Sequence, residues 1–167
     1  NYFLHMSDIT FNMKENNMIV HQKKVEPWKV SLIDTGENSM TGGRIKRVRE
    51  YIGNETFCMT YGDGLANIDV DELISHHKRH NRLATITTVQ PPGRYGSIKL
   101  GNDFEVAGFQ EKPLGDGGWI NGGFFVLEPK VLDLIKSDKT DWENEPLITL
   151  ANNHQLTSYF HKGFWQA

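Results

Sequence analysis

A single cysteine, Cys58, stands in 167 residues, which excludes an internal disulfide framework. No apolar run approaches the roughly 18 residues that a membrane-spanning helix needs, and no basic-then-apolar leader pattern opens the chain. An excess of one charge sign is missing as well. The 18 Lys and Arg face 21 Asp and Glu for a formal net charge of −3, so nothing draws the whole surface to nucleic acid or to an anionic membrane. Any phosphate site must therefore be built locally. Neither a solenoid-length repeat nor a low-complexity tract occurs. What is present is ordinary for a folded domain: 38% hydrophobic residues, 11% aromatic and 23% charged. These features predict one soluble, cytoplasmic domain over residues 1–167. Its ends, Asn1-Tyr2-Phe3-Leu4 and Gly163-Phe164-Trp165-Gln166-Ala167, are apolar where termini are usually polar, so an interior piece of a longer protein is expected.

The pattern along the chain alternates strand and helix. Ile9 to Met13 and Met18 to His21 read as a hairpin around the turn-rich Lys14-Glu15-Asn16-Asn17, and Val30 to Asp34 reads as a third strand. A polar loop from Thr35 to Gly43 precedes a helix from Arg44 to Ile52, where Ile45, Val48 and Ile52 share a face. Phe57 to Tyr61 has the look of a buried strand of a parallel sheet. A helix follows, capped by Asp69 with Glu72 reaching back, facing inward through Val70, Leu73, Ile74 and His77, and stopping at Asn81. With the strand from Leu83 to Val89 this makes a βαβ crossover. Shorter strands are expected at Tyr95 to Leu100, Phe104 to Gln110, Trp119 to Leu127 and Leu156 to Phe160, and helices at Pro129 to Leu134 and Trp142 to Ala151. The whole reads as an α/β domain with a mixed sheet.

Four constellations could carry chemistry, each with a plainer reading beside it. Gly62-Asp63-Gly64 follows the C-terminal end of a strand, where ligands bind in open α/β sheets, and a carboxylate there suits Mg²⁺; a tight turn explains the same residues. Ser39-Met40-Thr41-Gly42-Gly43-Arg44 opens a helix with hydroxyls, glycines and a guanidinium, fit for a phosphate or a ribose, or simply a glycine-bearing helix start. It is not a P-loop. Glu111-Lys112-Pro113 offers an acceptor for sugar hydroxyls and a compact cation for a phosphate, or a solvated strand end. Pro113 is expected to hold Lys112 extended. Asn121-Gly122-Gly123 places two glycines inside an apolar strand, as the approach of a ligand, of another backbone, or a bulge would require. Tyr95-Gly96, preceded by Arg94, resembles it. By contrast, His76 and His80 fall on a polar helix face, Cys58 reads as core, Asp69-Val70-Asp71 is explained by capping, and no Ser/His/Asp or Cys/His triad can be argued.

Taken in order, Val25-Glu26-Pro27-Trp28, Asp34-Thr35-Gly36, Ser39 to Arg44, Tyr61-Gly62-Asp63-Gly64, Gln90 to Gly96, Phe109 to Pro113, Gly115 to Phe125 and Gly163 to Gln166 closely resemble the sugar-phosphate nucleotidyltransferases, over essentially the whole chain. The resemblance implies a Rossmann-like three-layer nucleotide-diphospho-sugar transferase fold, incomplete at both ends. The family's glycine-rich loop would lie upstream of Asn1, and its second metal-binding aspartate after the Phe164-Trp165-Gln166 motif. The Trp119-Ile120-Asn121-Gly122-Gly123-Phe124-Phe125 run points to a branch that makes CDP-glucose and pyrophosphate from CTP and α-D-glucose 1-phosphate, for bacterial surface polysaccharide such as O-antigen. Carried over by position, the resemblance implies that Asp63 binds Mg²⁺, that Ser39, Arg44 and Gly62 contact the nucleotide, that Lys112 meets the sugar phosphate, and that Glu111, Asn121 and Gly96 line the sugar pocket. Asp63 and Lys112 are the expected catalytic residues. A homo-oligomer is expected of the intact protein. Three other readings remain open: another sugar-1-phosphate nucleotidyltransferase, a truncated non-catalytic sugar-phosphate-binding module, and a glycosyltransferase of related architecture.

Overall fold

The computed structural model describes residues 6–23, 26–91, 93, 96–112 and 118–167. The expected Arg94-Tyr95 site, the start of the strand at Tyr95, and most of the Gly115 to Gly118 turn lie outside these residues. The chain divides into two compact units, Asn1–Asp34 and Thr35–Ala167.

The first unit is a hairpin. Strand β1 (Ser7–Asn12) pairs antiparallel with β2 (Asn17–Lys23), with a register shift between Asp8 and Ile9. The turn closes because the Asn12 side chain accepts from the Glu15 amide at 3.2 Å while Asn16 takes a left-handed φ of 49°, which asparagine tolerates. Across the pair, Thr10 Oγ1 and His21 Nε2 are hydrogen-bonded at 2.8 Å. The strand expected from Val30 to Asp34 does not form among the described residues: positions 30–34 are irregular and mostly exposed. A β-rich composition without a partner does not make a strand.

The second unit is built on a mixed sheet. Helices α1 (Thr41–Arg47) and α2 (Arg49–Ile52) are followed by β3 (Phe57–Thr60), β4 (Leu65–Ala66), α3 (Val70–His80), β5 (Ala84–Val89), β6 (Ser97–Leu100), β7 (Val106–Gln110), β8 (Ile120–Leu127), a 3-10 helix (Pro129–Leu134), α4 (Glu145–Asn152), β9 (Leu156–Phe160) and β10 (Trp165–Gln166). Among the described residues the main sheet has the order β3-β8-β5-β9, and two-residue or short ladders join β4 to β10 and β6 to β7. Strand β8 runs antiparallel to β3 and β5, while β5 and β9 are parallel. The expected crossover from β3 through α3 to β5 is therefore present, with β8 inserted between its two parallel strands.

Alternation along the strands covers both faces of the sheet. Ala84, Phe125 and Leu127 join Val131, Leu132, Ile135, Trp142 and Leu150 in one core cluster. Each such large side chain contributes about 1.5–3 kcal/mol by leaving water. On the other face, Thr85 meets His77 of α3, whose Nδ1 lies 2.8 Å from Thr85 Oγ1 and whose Nε2 lies 3.1 Å from Glu128 Oε1. Thr56 Oγ1 also donates to Glu128 Oε1 at 2.7 Å, and chiefly through that bond the Glu128 carboxyl sits below its ordinary range. Helix α3 begins as its sequence dictates. The Asp69 side chain accepts from the Glu72 amide at 2.9 Å, and Asn81 ends the helix in the left-handed region. Glu72 does not reach back, however. Its Oε2 accepts from the Tyr159 hydroxyl at 2.9 Å.

Three further expectations are corrected. The helix predicted over Arg44 to Ile52 starts at Thr41 and breaks at Val48 (φ −92°, ψ 9°). Strand β3 is not fully buried: it is an edge strand in which Cys58 and Thr60 are exposed, so Cys58 is not core. The helix expected from Pro129 to Leu134 is present, as a 3-10 helix, whereas the helix expected from Trp142 begins at Glu145, with Pro146 in its first turn as expected. No helix among the described residues is long and apolar enough to cross a membrane.

Candidate functional site

The sheet register gathers several loops at one edge. Thr60 pairs with Phe124, Val89 with Ile120, and Thr88 with both Asn121 and Phe160. The C-terminal ends of β3, β5 and β9 and the start of β8 therefore share one rim, where Gly62-Asp63-Gly64, Gln90, Asn121 and His161 emerge. A cleft of about 810 Å³ opens there, lined by residues that include Gln90, Trp119, His161, Lys162 and Gln166. Trp119 on its wall packs edge-to-face with Phe160, with centroids 4.7 Å apart.

Asp63 lies in an exposed turn. The segment continues into β4, which pairs with β10 (Trp165 opposite Ala66), and the Asn67 amide donates to the Phe164 carbonyl at 3.2 Å. Trp165 Nε1 in turn donates to the Gly122 carbonyl at 2.8 Å. These two ladder residues were not expected from the sequence. Gly62 faces open space: a Cβ added there would meet nothing within 4 Å.

The paired glycines of β8 serve the fold. A Cβ on Gly122 would come within 3.0 Å of the Thr87 carbonyl, and one on Gly123, at φ +78°, within 2.9 Å of the Tyr61 ring. The ladder shifts register opposite them, between Ile86 and Thr88. Of the readings left open, close approach of neighbouring protein atoms and a bulge hold here. Asn121 Oδ1 accepts from the Gly123 amide at 2.8 Å, and its side chain works against the upward push on the Tyr61 phenol.

The Ser39–Arg44 segment likewise meets protein first. The Met40 amide donates to Asp138 O at 2.8 Å and the Gly43 amide to Thr140 O at 3.2 Å, so two of the amides around this helix start are engaged by protein. Cβ atoms on Gly42 and Gly43 would strike that same 138–142 loop. Ser39 is buried, and the exposed Arg44 guanidinium donates to Thr35 Oγ1 at 2.8 Å and Glu37 O at 3.1 Å. The adjacent Arg47 forms a fork with Asp138 at 3.0 and 2.6 Å, and holds the Asp138 carboxyl below its usual range.

Glu143 bridges these two regions, and sequence reasoning missed it. One carboxylate oxygen accepts from the Tyr61 hydroxyl and the other from Thr41 Oγ1 at 2.7 Å. Burial first, and Glu143 second, push the Tyr61 phenol well above its ordinary value. A glutamate one turn ahead of a helix gives no sign in sequence that it will reach two hydroxyls on other elements.

Glu111 and Lys112 follow β7 at the open end of the β6–β7 ladder, which is separate from the main sheet. Lys112 is not extended, as Pro113 led us to expect, but left-handed at φ 44°. Its Nζ lies 3.8 Å from Glu111 Oε1, with both side chains about two-thirds exposed (63% and 64%). Glu111 Oε2 stands 3.2 Å from where a Cβ on Gly96 would be, so the structure brings Gly96, Glu111 and Lys112 together. Asp63 belongs to the main-sheet rim instead.

The chain is 58% identical over 167 residues to glucose-1-phosphate cytidylyltransferase of Salmonella typhimurium, covering 99% of this chain and 65% of that protein. It is 46% identical over 143 residues to a probable glucose-1-phosphate cytidylyltransferase of Bacillus subtilis, covering 85% of this chain and 56% of that protein. The chain thus spans about two-thirds or less of the length of these relatives. Among solved structures, HddC from Yersinia pseudotuberculosis superposes with a TM-score of 0.55 at 26% identity, over 77% of this chain and 56% of that one. The profile of the nucleotidyl transferase family matches residues 7–166, and the chain belongs to that family.

Proposed function

We propose that the protein to which this chain belongs transfers a cytidylyl group from CTP to α-D-glucose 1-phosphate, giving CDP-glucose and pyrophosphate in the cytoplasm. The observation that carries the reading is the 58% identity to the Salmonella enzyme across 99% of the chain. The rim described above supports it.

A phosphate oxygen of glucose 1-phosphate forms a bond to the α-phosphorus of CTP as the bond from that phosphorus to the bridging oxygen breaks, and pyrophosphate leaves with the electron pair. Phosphate is already a competent nucleophile, so the protein needs to align the reactants and offset charge more than to supply a base. This suits a site with Asp, Lys and Arg side chains.

In this reading Asp63 holds Mg²⁺. Its exposed carboxylate makes no hydrogen bond or ion pair among the described residues, and no three His, Cys, Asp or Glu residues converge there. One carboxylate completed by phosphates and water is a donor set that fits this hard ion. Bound Mg²⁺ would supply charge neutralisation on the triphosphate. Gly62 lets the nucleotide approach the backbone, while Ser39 and Arg44 flank it. Lys112 meets the sugar phosphate, and Glu111, Gly96 and the side-chain amide of Asn121 face sugar hydroxyls.

Pyrophosphate release with each nucleoside triphosphate and glucose 1-phosphate, assayed on the complete gene product, tests the proposal. CTP-dependent turnover is expected, and its absence refutes the reading. Asp63→Asn and Lys112→Ala should each lower kcat/KM by about 10²-fold or more, as loss of a group that stabilises transition-state charge does. Near-normal rates in both would remove their roles.

A further inference from the structure

We propose that Glu143 is a positioning residue for nucleotidyl transfer, fixing the spacing between the loop that carries Asp63 and the Ser39–Arg44 segment by holding Tyr61 and Thr41 on its two carboxylate oxygens. The inference rests on the functional reading above and extends it to a residue outside both loops.

Each end of the bridge is anchored independently. Tyr61 precedes Asp63 by two residues, and its ring is wedged between Gly123, where only glycine leaves room, and the edge of Phe125 at a centroid distance of 5.8 Å. Thr41 is the first residue of α1, and its hydroxyl, while donating to Glu143, accepts from the Trp142 amide at 2.9 Å. Trp142 is fully buried and packs edge-on against Phe125 at 6.0 Å. The residue before Glu143 is thus fixed in the core, and its carboxylate reaches outward to the rim. Among the described residues Glu143 pairs with no lysine, arginine or histidine; its hydrogen-bond partners are the two hydroxyls.

Two donors arriving from different elements call for a group with two acceptor oxygens at fixed separation. A carboxylate has them, an amide has one, and a methyl has none. In a reaction governed by alignment, a displacement of about 1 Å costs about 10²-fold in rate. Glu143 therefore acts through Tyr61 and Thr41 on groups that touch substrate.

The test uses the complete gene product with Glu143→Ala, Glu143→Gln and Tyr61→Phe. Because Tyr61 acts through the same bridge, the kcat losses of Glu143→Ala and Tyr61→Phe should not multiply when the two are combined: the double variant should lose no more than about the larger single loss. Pyrophosphate release should show kcat for Glu143→Ala reduced by about 10- to 100-fold at saturating CTP, counted per folded molecule. Glu143→Gln, which keeps one acceptor, should lose about tenfold at most. Losses in kcat that multiply in the double variant overturn the inference. So does a kcat equal to wild type once the folded fraction is counted, since that is what a purely stabilising residue gives. Wild-type protein silent with CTP and glucose 1-phosphate overturns the functional reading and this inference with it, whereas active wild type with fully active Glu143→Ala overturns this inference alone.

Discussion

Replacing Gly43 by alanine sets two opposing effects against each other. Gly43 lies inside α1, and helix propensity alone favours alanine there by about 0.8–1.0 kcal/mol. The added Cβ, however, would sit 2.6 Å from Asp138 Cα and against the Asp138 carbonyl, which are backbone atoms that cannot swing aside. Forcing extra volume into a close-packed contact costs about 1–3 kcal/mol. The 138–140 loop must then retreat, which weakens the Met40 amide bond to Asp138 O and the Gly43 amide bond to Thr140 O, at about 0.5–1.5 kcal/mol each. The costs outweigh the propensity gain, leaving a net destabilisation of about 3 kcal/mol and a Tm lowered by about 6–12 °C for a domain of this size. Thermal unfolding followed by circular dichroism, with urea midpoints beside it, reads the change. Gly62→Ala is the companion variant. Its Cβ enters open space, so stability should stay within about 0.5 kcal/mol of wild type while turnover with CTP falls. A Gly43→Ala protein that melts at or above wild type would refute the packing argument, and a Gly62→Ala protein with unaltered turnover would refute the claim that the nucleotide approaches there.

Alkaline stability should report on Tyr159, whose phenol is raised from 10.0 to about 12 by burial and by its bond to Glu72. Because the folded value is raised, the contribution is complete below pH 10 and is lost as pH climbs to about 12, so urea unfolding in Tyr159→Phe should lack that slope; parallel pH curves would contradict it. Trp142→Ala should cost about 3–5 kcal/mol by emptying the core. Trp142→Phe should cost clearly less, because the indole Nε1 has no hydrogen-bond partner among the described residues, and equal losses in the two variants would count against this account.

The parts of the fold legible in the sequence are those whose signals are local. Asp69 and Asn81 mark the ends of α3 because capping chemistry acts over three or four residues, and Lys14 to Asn17 marks the hairpin turn for the same reason. The alternation of Leu83 to Val89 finds β5. Where partners are distant, the reading falters. Phe57 to Thr60 looks buried by composition, yet it is an edge strand with Cys58 exposed, a fact set by where β8 docks. Val30 to Asp34 has strand composition without a ladder. Gly42 and Gly43 resemble a phosphate cradle but admit the 138–142 loop instead, because one pattern suits any close approach. Within the candidate site, Asp63 and Gly62 stand at the rim as expected, and Gly96 meets Glu111, whereas Glu143 carried no motif and surfaced only through its partners.

The ladder between Leu65-Ala66 and Trp165-Gln166 has a bearing on biosynthesis. Residues 62–66 leave the ribosome well before the strand that pins them, so the nascent chain carries its acidic turn untethered while the sheet around Phe125 and Trp142 takes shape. Contacts of such long sequence separation form late and slow folding. Assembly of the rim thus waits on the arrival of Trp165, and a released chain truncated just ahead of that tryptophan would keep every residue of the core cluster while its rim lacked the strand that pins it.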